Sequence, residues 1–343
     1  MKLLPLRGNG ECNMEPLKVG VIGCGVISSV HLPIVSELEN LVAVCDIDEV
    51  KGKKIADIYN CKYYKNYEKM LKKENLDVIH ILTPHNIRYE IVEKAIEFKT
   101  NIIIEKPLAH TYEEAEKIVN LINNQNKIKA TVVYQNRKND SYIQLKKELK
   151  EEKFGKVLGM ESTVFWKRDM NYYKDSPWRG KKSESGGGLL INQAIHTIDW
   201  MQDIGGDIST LSGKVFKLKN KELDIEDTCS FSILFSNGVE GFFSGTLTNF
   251  KNSSVMLSIY CERGMYSLRD KSLYKKEYTN NIEKKIITDE VGAVKDYYGT
   301  SHKKIVENFY SSIKNNTSNY LPLEEGLKSL KIIIDLYKED NNL

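Results

Sequence analysis

KVGVIGCGVISS, residues 18–29, decides the fold of this chain of 343 residues. An apolar run typical of a buried parallel strand leads through two glycines into a helical pattern. Gly23 permits a tight turn, and Gly25 lets backbone amides at the helix N-terminus approach a pyrophosphate. Ser28 stands where such loops normally have Gly or Ala, a departure of one hydroxyl group. The stretch predicts a dinucleotide-binding loop, although a glycine motif alone also fits a simple turn.

A carboxylate follows at the end of the next strand pattern. LVAVCDID places Asp46 about 20 residues beyond the glycines, where it can accept hydrogen bonds from the adenine ribose. Because the carboxylate would repel a 2′-phosphate, the sequence favours NAD over NADP. Lys51, Lys53 and Lys54 are near enough in sequence to leave NADP possible, and a solvated turn acid is the alternative interpretation of Asp46.

The chain divides into two parts with different periodicities. Five short apolar runs alternate with amphipathic helical stretches and predict a doubly wound α/β domain with a parallel sheet over residues 16–136: KVGVIG, LVAVCD, DVIHIL, NIIIEK and KATVVY. Residues 137–343 predict an α+β domain with an open, mostly antiparallel sheet. Its strands include a hairpin at Asn237-Gly238 and another with Gly264 in the turn.

Both ends of the chain carry separate predictions. Residues 1–15 are interpreted as a flexible extension, since their apolar run is too short for a signal peptide. Near the other end, one helical face is predicted to carry Leu323, Leu327, Leu330, Ile334 and Tyr337. That last helix is a candidate to pack back on the first domain.

Composition excludes several classes of function. Hydrophobic residues make up 41% and charged residues 28%, which indicates globular packing, and the net charge is only +3. No basic stripe suggests nucleic-acid binding, and no apolar run reaches the ~18 residues that span a bilayer. Six cysteines without a CxxC motif favour a reducing cytoplasm over a disulfide framework or a zinc ribbon.

The tripeptide Glu105-Lys106-Pro107 at the end of a strand adds a resemblance to a known family. Together with the glycine loop, Thr83-Pro84, YQNR, SPWRG and the GGGLLINQAIHTIDW segment, in that family's order, it makes the chain resemble the Gfo/Idh/MocA oxidoreductases from Lys18 onward. The resemblance implies a Rossmann domain followed by an α/β domain whose open sheet builds homodimers or homotetramers. It also implies hydride transfer between a nicotinamide and a hydroxyl or carbonyl carbon of a sugar, sugar acid, nucleotide sugar or inositol.

The resemblance suggests two catalytic residues. Lys106 matches the family's catalytic-region lysine, whose ammonium stabilises charge on the reacting oxygen or donates a proton. His196 matches the family histidine that contacts the substrate oxygen, and a neutral imidazole can take the hydroxyl proton. A core histidine is the alternative for His196. Asn192, where many relatives carry Asp, cannot act as a base but can position a hydroxyl.

The remaining site residues are also expectations. Asn192, His196 and Asp199 are predicted to share one helical face, with Asp199 either orienting the imidazole or bonding backbone. Arg137 is expected to bind substrate, and the three glycines before the helix are expected to let backbone approach substrate or cofactor. Predicted cofactor contacts are Gly23, Gly25, Val26, Ile27, Asp46, Thr83, Pro84, Glu105, Lys106, Gln135, Trp178 and Arg179. No metal is expected, because the histidines show no metal-ligand spacing.

Two other functions fit the same residues. A nicotinamide-binding regulator or scaffold would keep the fold without turnover. An enzyme that uses NAD transiently, in glycoside cleavage or epimerisation, would form product without net NADH.

Overall fold

The computed structural model of the protein describes residues 15–290 and 301–339. Its strands form two sheets, one of six strands and one of eight. The strands are β1 Lys18–Ile22, β2 Asn40–Cys45, β3 Lys62–Tyr64, β4 Val78–Ile81, β5 Asn101–Glu105, β6 Ala130–Val133, β7 Val157–Phe165, β8 Ile208–Phe216, β9 Thr228–Phe235, β10 Glu240–Thr246, β11 Met256–Cys261, β12 Gly264–Arg269, β13 Ser272–Glu277 and β14 Glu283–Thr288. The helices are α1 Ser28–Leu38, α2 Glu49–Tyr59, α3 Tyr67–Glu74, α4 Arg88–Glu97, α5 Tyr112–Asn123, α6 Asp140–Lys150, α7 Met170–Lys174, α8 Lys182–Ser185, α9 Ile195–Gly205, α10 Ser301–Lys314 and α11 Glu324–Glu339.

The six-stranded sheet is parallel, in the order β3-β2-β1-β4-β5-β6. This order is that of a doubly wound Rossmann sheet, and it confirms the predicted fold class. All four residues of β4 and of β6 are buried, as expected for strands covered by helices on both faces. The order reverses between β1 and β4, and the crevice at that reversal is where such sheets bind ligands. The edge strand β3 was not predicted, because three residues are too few for a periodic signal.

The eight-stranded sheet has the order β14-β13-β12-β11-β7-β10-β9-β8, and only the β7–β10 pair is parallel. The predicted hairpin is present, with β9 and β10 antiparallel across Asn237-Gly238. Burial alternates along both strands, so one sheet face lies against the core. Gly264 is not in its predicted turn but begins β12. A side chain there would come within 2.6 Å of the Lys276 carbonyl oxygen, so close backbone approach explains this glycine.

Helix α11 lies between the two halves of the chain. Asn123 on α5 donates to Glu324, at 2.7 Å, and Tyr134 and Ser329 hydroxyls are 2.6 Å apart. Leu323, Leu330 and Tyr337 are buried as predicted, but Leu327 and Ile334 are only partly buried. Five buried residues of α11 lie outside the predicted set, because the helix packs on more than one side: Gly326, Ser329, Ile332, Ile333 and Leu336.

Two sequence predictions concern the ends of the chain and membranes. Apart from residue 15, the predicted extension 1–15 lies outside the described residues. Among the helices of residues 15–290 and 301–339, none is long and apolar enough to cross a bilayer.

Candidate active site

The glycine loop joins β1 to α1. Gly23 has a φ of +101°, and a side chain there would lie 2.8 Å from the Leu82 carbonyl oxygen, so the tight turn needs glycine. A side chain at Gly25 would meet no atom within 4 Å, which leaves open space beside the start of α1. Ser28 is buried and donates its hydroxyl to the Gly25 carbonyl at 2.7 Å. Ser28, which replaces the usual Gly or Ala, therefore stabilises the loop through this hydrogen bond.

Asp46 lies at the end of β2 beside this loop. Its Oδ2 accepts the Cys24 amide at 2.7 Å, and its Oδ1 accepts the Asp48 amide at 2.8 Å. The carboxylate is only partly buried, so it presents negative charge to the crevice. Two nearby lysines pair instead with acids of α2 and its cap: Lys51 with Asp48, at 3.5 Å, and Lys53 with Glu49, at 2.7 Å.

Arg88 ties two turns of the site together, a role that the sequence did not indicate. Its guanidinium is buried and donates to the carbonyl of Thr83 from Nε and Nη2, at 3.1 and 2.8 Å. Nη1 donates to the carbonyls of Glu105 and Pro107. Burial lowers the pKa of Arg88 to about 10, so it remains charged near neutral pH. The Thr83 hydroxyl has no hydrogen-bond partner among the described residues, and Pro84 beside it is partly exposed.

Lys106 follows β5, and its peptide bond to Pro107 is cis. Its Nζ donates to the backbone carbonyl of Asn192, at 2.8 Å, which joins the two halves of the site. Burial lowers the pKa of Lys106 to about 8; the Glu105 carboxylate opposes this shift, and Arg88 and Arg179 add to it. An ammonium with this pKa exchanges its proton near neutral pH.

His196 is buried near Lys106 at the start of α9. Its Nε2 lies 3.2 Å from the Gln135 amide nitrogen, and its Nδ1 has no partner among the described residues. Burial, followed by the charge of Lys106, lowers the pKa of His196 well below its usual range. The imidazole is therefore neutral near pH 7, and its Nδ1 makes no hydrogen bond within the described residues.

Asn192 and Asp199 form hydrogen bonds with residues other than His196, although the three residues were predicted to share one helical face. Residues Leu189–Ala194 form a π-helix, whose wider turn changes the spacing, and the Asn192 amide turns back to donate to the Gly187 carbonyl at 2.9 Å. Asp199 neither orients the imidazole nor bonds backbone. Both of its oxygens accept from Arg137, at 2.8 Å, because the guanidinium fork matches a carboxylate.

The same contacts change the interpretation of Arg137. Its guanidinium also pairs with Asp203, at 3.3 Å, and Glu325, at 2.9 Å. With three carboxylates around it, Arg137 holds α9 and α11 together rather than presenting its charge to a substrate.

The three glycines before the π-helix serve packing, which corrects the expectation that they admit substrate or cofactor. Side chains at Gly186 and Gly188 would come within 2.2 Å of the His110 carbonyl and 2.0 Å of the Glu226 carbonyl. The buried Glu226 carboxylate accepts the amides of Gly188 and Leu190 and the Tyr337 hydroxyl, all at 2.8 Å. Protein atoms therefore fill the space that the glycines leave.

The loop with Trp178 and Arg179 lies over the first half of the chain. Trp178 packs edge-on against His85, with ring centroids 4.8 Å apart, and His85 contacts the Ser185 carbonyl at 2.7 Å. Arg179 lies 4.4 Å from the Tyr172 ring centroid and is close enough to lower the pKa of Lys106.

A buried polar cluster lies behind Glu105. His31 Nε2 is 3.0 Å from Glu105 Oε1, His31 Nδ1 is 2.8 Å from His80 Nδ1, and His80 Nε2 is 2.7 Å from the Tyr310 hydroxyl. His302 Nε2 lies 3.6 Å from the same Glu105 oxygen. Although burial raises the pKa of Glu105, contacts with His302 and His31 hold it well below the usual range.

This cluster has no signature in the sequence, because its members are far apart along the chain. Donor atoms of His31, Glu105 and His302 all lie within 4.8 Å of one another, a separation compatible with ligands of a metal ion. The direct hydrogen bond from His31 already accounts for the closest contact, and the absence of a metal stays a prediction.

The geometry fits a dinucleotide. The site offers an open position at Gly25, the amides of α1, a carboxylate at Asp46, and unpartnered buried oxygens on Thr83 and Gln135 within the described residues. Two cavities of the described chain are not lined by Lys106. One of about 280 Å³ is lined by Asn136, Trp166, Trp200 and Asp289, and one of about 340 Å³ by Arg137, Tyr142 and Tyr320.

Comparison with protein families identifies the family of the chain. Residues 17–134 match the model of the oxidoreductase family with an NAD-binding Rossmann fold, and residues 142–267 match the GFO/IDH/MocA C-terminal domain. The chain belongs to the Gfo/Idh/MocA family. It is therefore an NAD-dependent oxidoreductase, as the resemblance implied.

Three proteins similar to this chain share between 21% and 29% sequence identity with it. Oxidoreductase P35 of Formosa agariphila is 29% identical over 233 residues, which cover 66% of this chain and 71% of that protein. The WlbA dehydrogenase of Bordetella pertussis, in complex with NADH and UDP-GlcNAcA, has a TM-score of 0.83 at 22% identity, covering 96% of this chain and 97% of its own. Levoglucosan dehydrogenase in complex with NADH and levoglucosan has a TM-score of 0.83 at 21% identity, covering 94% and 98%. At these identities the two structures show a common fold.

Proposed function

We propose that the protein transfers a hydride between NAD and a hydroxyl or carbonyl carbon of a sugar-like substrate, with Lys106 and His196 as its acid and base. The observation that carries the proposal is the pairing of a partly buried lysine of lowered pKa with a neutral histidine that has one ring nitrogen without a hydrogen-bond partner among the described residues. The two come from opposite halves of the chain and meet at the carboxyl end of the parallel sheet, where such folds bind ligands.

NAD would be held by the glycine loop and the first turn of α1, with Val26 and Ile27, and by Asp46, Thr83, Pro84 and Gln135. When bound, it supplies the acceptor or donor of the hydride. Trp178 and Arg179 cover the same side of the site, and Glu105 lies behind Lys106.

Lys106 holds the proton that the substrate oxygen needs or releases. Its Nζ is fixed by one hydrogen bond to Asn192, which leaves other N–H groups for a substrate oxygen. As ammonium it stabilises negative charge on that oxygen in the reduction, and as amine it accepts the hydroxyl proton in the oxidation. A pKa of about 8 makes both forms accessible at neutral pH.

His196 offers Nδ1 to the same oxygen. With the Gln135 amide nitrogen at Nε2, that ring nitrogen accepts, and Nδ1 carries the hydrogen. A half-turn of the amide places its oxygen at Nε2 and leaves a lone pair on Nδ1. Gln135 therefore orients the ring in either neutral tautomer, a role that the sequence left open for Asp199.

Relatives support a sugar-like substrate. Solved structures of the same fold hold UDP-GlcNAcA in WlbA and levoglucosan in levoglucosan dehydrogenase. Three other predictions from the sequence stay proposals: a division into domains 16–136 and 137–343, a cytoplasmic location, and a homodimer or homotetramer built through the open sheet. Light scattering of the purified protein tests the last.

The function is tested by assaying NAD reduction on a panel of sugars, inositols and nucleotide sugars, with NADP in parallel. Lys106→Ala and His196→Ala are expected to lose turnover while NAD binding, measured by fluorescence, stays within about twofold of the wild type. Lys94→Ala is the control, because Lys94 is paired with Glu97 on the surface of α4. Full activity in both site variants would refute the mechanism, and NADH binding without any turnover would indicate a regulator instead.

A further inference from the structure

Two arginines flank one tyrosine beside the active site. The Arg168 guanidinium carbon lies 5.2 Å from the Tyr172 ring centroid and 4.8 Å from that of Trp166. Arg179 lies 4.4 Å from the Tyr172 centroid and 5.7 Å from that of Trp178. Each guanidinium group therefore lies within cation–π distance of two aromatic rings, and these contacts favour the observed positions of the two charges.

The charge of Arg168 is not neutralised by the protein. Its hydrogen bonds reach the Lys167 carbonyl at 2.8 Å, the Asn252 amide oxygen at 3.1 Å and the Gln193 amide oxygen at 3.3 Å. All three acceptors are uncharged. The nearest carboxylate along the chain, Asp169, caps α7 by accepting the amides of its first residues.

The described arginines fall into two groups, and Arg88, which donates to backbone carbonyls, also lacks a carboxylate partner. Arg137, Arg263 and Arg269 each form an ion pair with a carboxylate. Throughout residues 15–290 and 301–339, neither Arg168 nor Arg179 has such a partner. Two like charges held around one ring repel each other, and an anion between or beside them would relieve that repulsion.

The position of Arg168 relates it to the reacting groups. Gln193, which it contacts, follows Asn192, whose carbonyl receives Lys106. The Gln193 amide also donates to the Tyr172 hydroxyl at 2.7 Å. Arg168 and Lys106 therefore contact consecutive residues of the same π-helix. Arg179 is nearer to Lys106, whose pKa it lowers.

We propose that Arg168 binds an anionic group of the substrate, a carboxylate or a phosphate, while the reacting hydroxyl lies at Lys106 and His196. This inference rests on the proposed function and narrows the substrate to acidic sugars. Arg179, on the cofactor side of Tyr172, adds positive potential, and Arg168 confers the specificity. The fixed fork of Arg168 suits a bidentate contact with either anion.

The first test compares substrates that differ only in charge. The full-length protein is assayed with NAD and D-glucose, D-glucuronate, its neutral methyl ester, D-glucose 6-phosphate and UDP-glucose, and with the galactose series. In at least one series, kcat/KM for an acidic member is expected to exceed that of its neutral partner by about tenfold or more, and added salt should reduce the difference. A preference for D-glucuronate would indicate a carboxylate site, and a preference for D-glucose 6-phosphate or UDP-glucose would indicate a phosphate site. Equal values for neutral and acidic members overturn the inference but leave the proposed function intact.

The second test measures binding without turnover. The same compounds are titrated by calorimetry into the protein saturated with NADH, so that the cofactor site cannot take up the anion. Arg168→Gln is expected to weaken binding of the anion about tenfold or more, and Arg168→Lys less, because one N–H fork is replaced by a point charge. Lys167→Gln, which removes an exposed neighbouring charge, is the matched control and should change it less than about twofold.

The two proposals fail in different ways. Anions that bind, are weakened by Arg168→Gln and yet are never oxidised would refute the proposed function and support the anion site. Absence of anion binding to the NADH-saturated wild type would overturn the anion site. An equal loss for neutral and acidic ligands in Arg168→Gln would do the same.

Discussion

His31 Nε2 lies 3.0 Å from Glu105 Oε1, and this contact joins the helix of the glycine loop to the turn that carries Lys106. Behind His31, His80 and Tyr310 continue the chain to α10. Burial lowers the pKa of His80 well below its usual range, so its ring carries a single proton. If that proton is on Nδ1, each hydrogen bond of the chain points toward Glu105. The polar cluster thus fixes an ionised carboxylate next to the reacting lysine.

Replacing His31 by Leu should therefore affect both stability and the pH profile. Glu105 and His80 lose a buried partner, and the free energy of unfolding should fall by about 1–3 kcal/mol. Glu105 would then bind a proton more readily and stabilise the Lys106 ammonium less, so the pKa of Lys106 should fall. Urea unfolding and kcat/KM against pH measure the two effects. His110→Leu is the control, since His110 contacts Glu114 outside the cluster; a loss of stability with no shift of the profile would make His31 purely structural.

The pH dependence of the reaction should report Lys106. Its pKa, which burial lowers to about 8, lies below that of an ordinary lysine. The reduction needs the ammonium, so kcat/KM in that direction should fall as pH rises through about 8, whereas the oxidation should rise through the same pH to a plateau. Lys106→Arg stays protonated, so it should abolish the change of kcat/KM near pH 8 and most of the activity in the oxidation direction. If kcat/KM of Lys106→Arg still changes near pH 8, another group causes the pH dependence.

Asp46 should determine the choice between cofactors. Asp46→Asn keeps an oxygen for the Cys24 amide but removes the charge that repels a 2′-phosphate. The ratio of kcat/KM for NADP to that for NAD should rise about tenfold or more, mostly through KM. Asp57→Asn, an exposed change on α2, is the control. An unchanged ratio would show that Asp46 serves only the turn.

A pair of glycines separates steric packing from backbone strain. Gly186 and Gly206 have φ values of +81° and +83°, but only at Gly186 would a side chain clash, 2.2 Å from the His110 carbonyl. Gly206→Ala should cost about 1 kcal/mol of unfolding free energy from conformation alone. Gly186→Ala should cost roughly 3 kcal/mol or more, because backbone must move. Equal losses in urea unfolding would contradict the packing role of the glycine segment.

Arg137 gives a test between the sequence interpretation and the structure. Removing its charge in Arg137→Gln leaves the buried Asp199 without its cation, takes one of two cations from Asp203 and from Glu325, and should cost about 3–5 kcal/mol. Lys146→Gln, which removes an exposed partner of Asp203, should cost less than about 1 kcal/mol. Thermal or urea unfolding measures both. A stable Arg137→Gln protein with a raised KM would favour the substrate role that the sequence suggested.

The sequence predicted those features that depend on local pattern. The glycine loop, Asp46 and the five buried strands follow from the period of apolar residues and from spacing, so the parallel sheet was confirmed. Contacts between residues that are far apart along the chain could not be predicted from the sequence. The partner of Asp199 proved to be Arg137, His80 and Tyr310 lie beyond any motif, and the Gly186 segment is explained by atoms of His110 and Glu226. A π-helical turn at Leu189–Ala194 also shifts side chains in a way that a regular helical period does not anticipate.

The contact between Tyr337 and Glu226 has a consequence for synthesis of the protein. Glu226 accepts hydrogen bonds from the amides of Gly188 and Leu190. Its third hydrogen bond comes from the Tyr337 hydroxyl, on the last helix of the described chain. The segment that delivers His196 therefore lacks one of its supports until residue 337 has left the ribosome. We expect the reactive centre to mature late in translation, and the parallel sheet also gains cover late, because Ile305, Val306 and Phe309 of α10 pack on one of its faces.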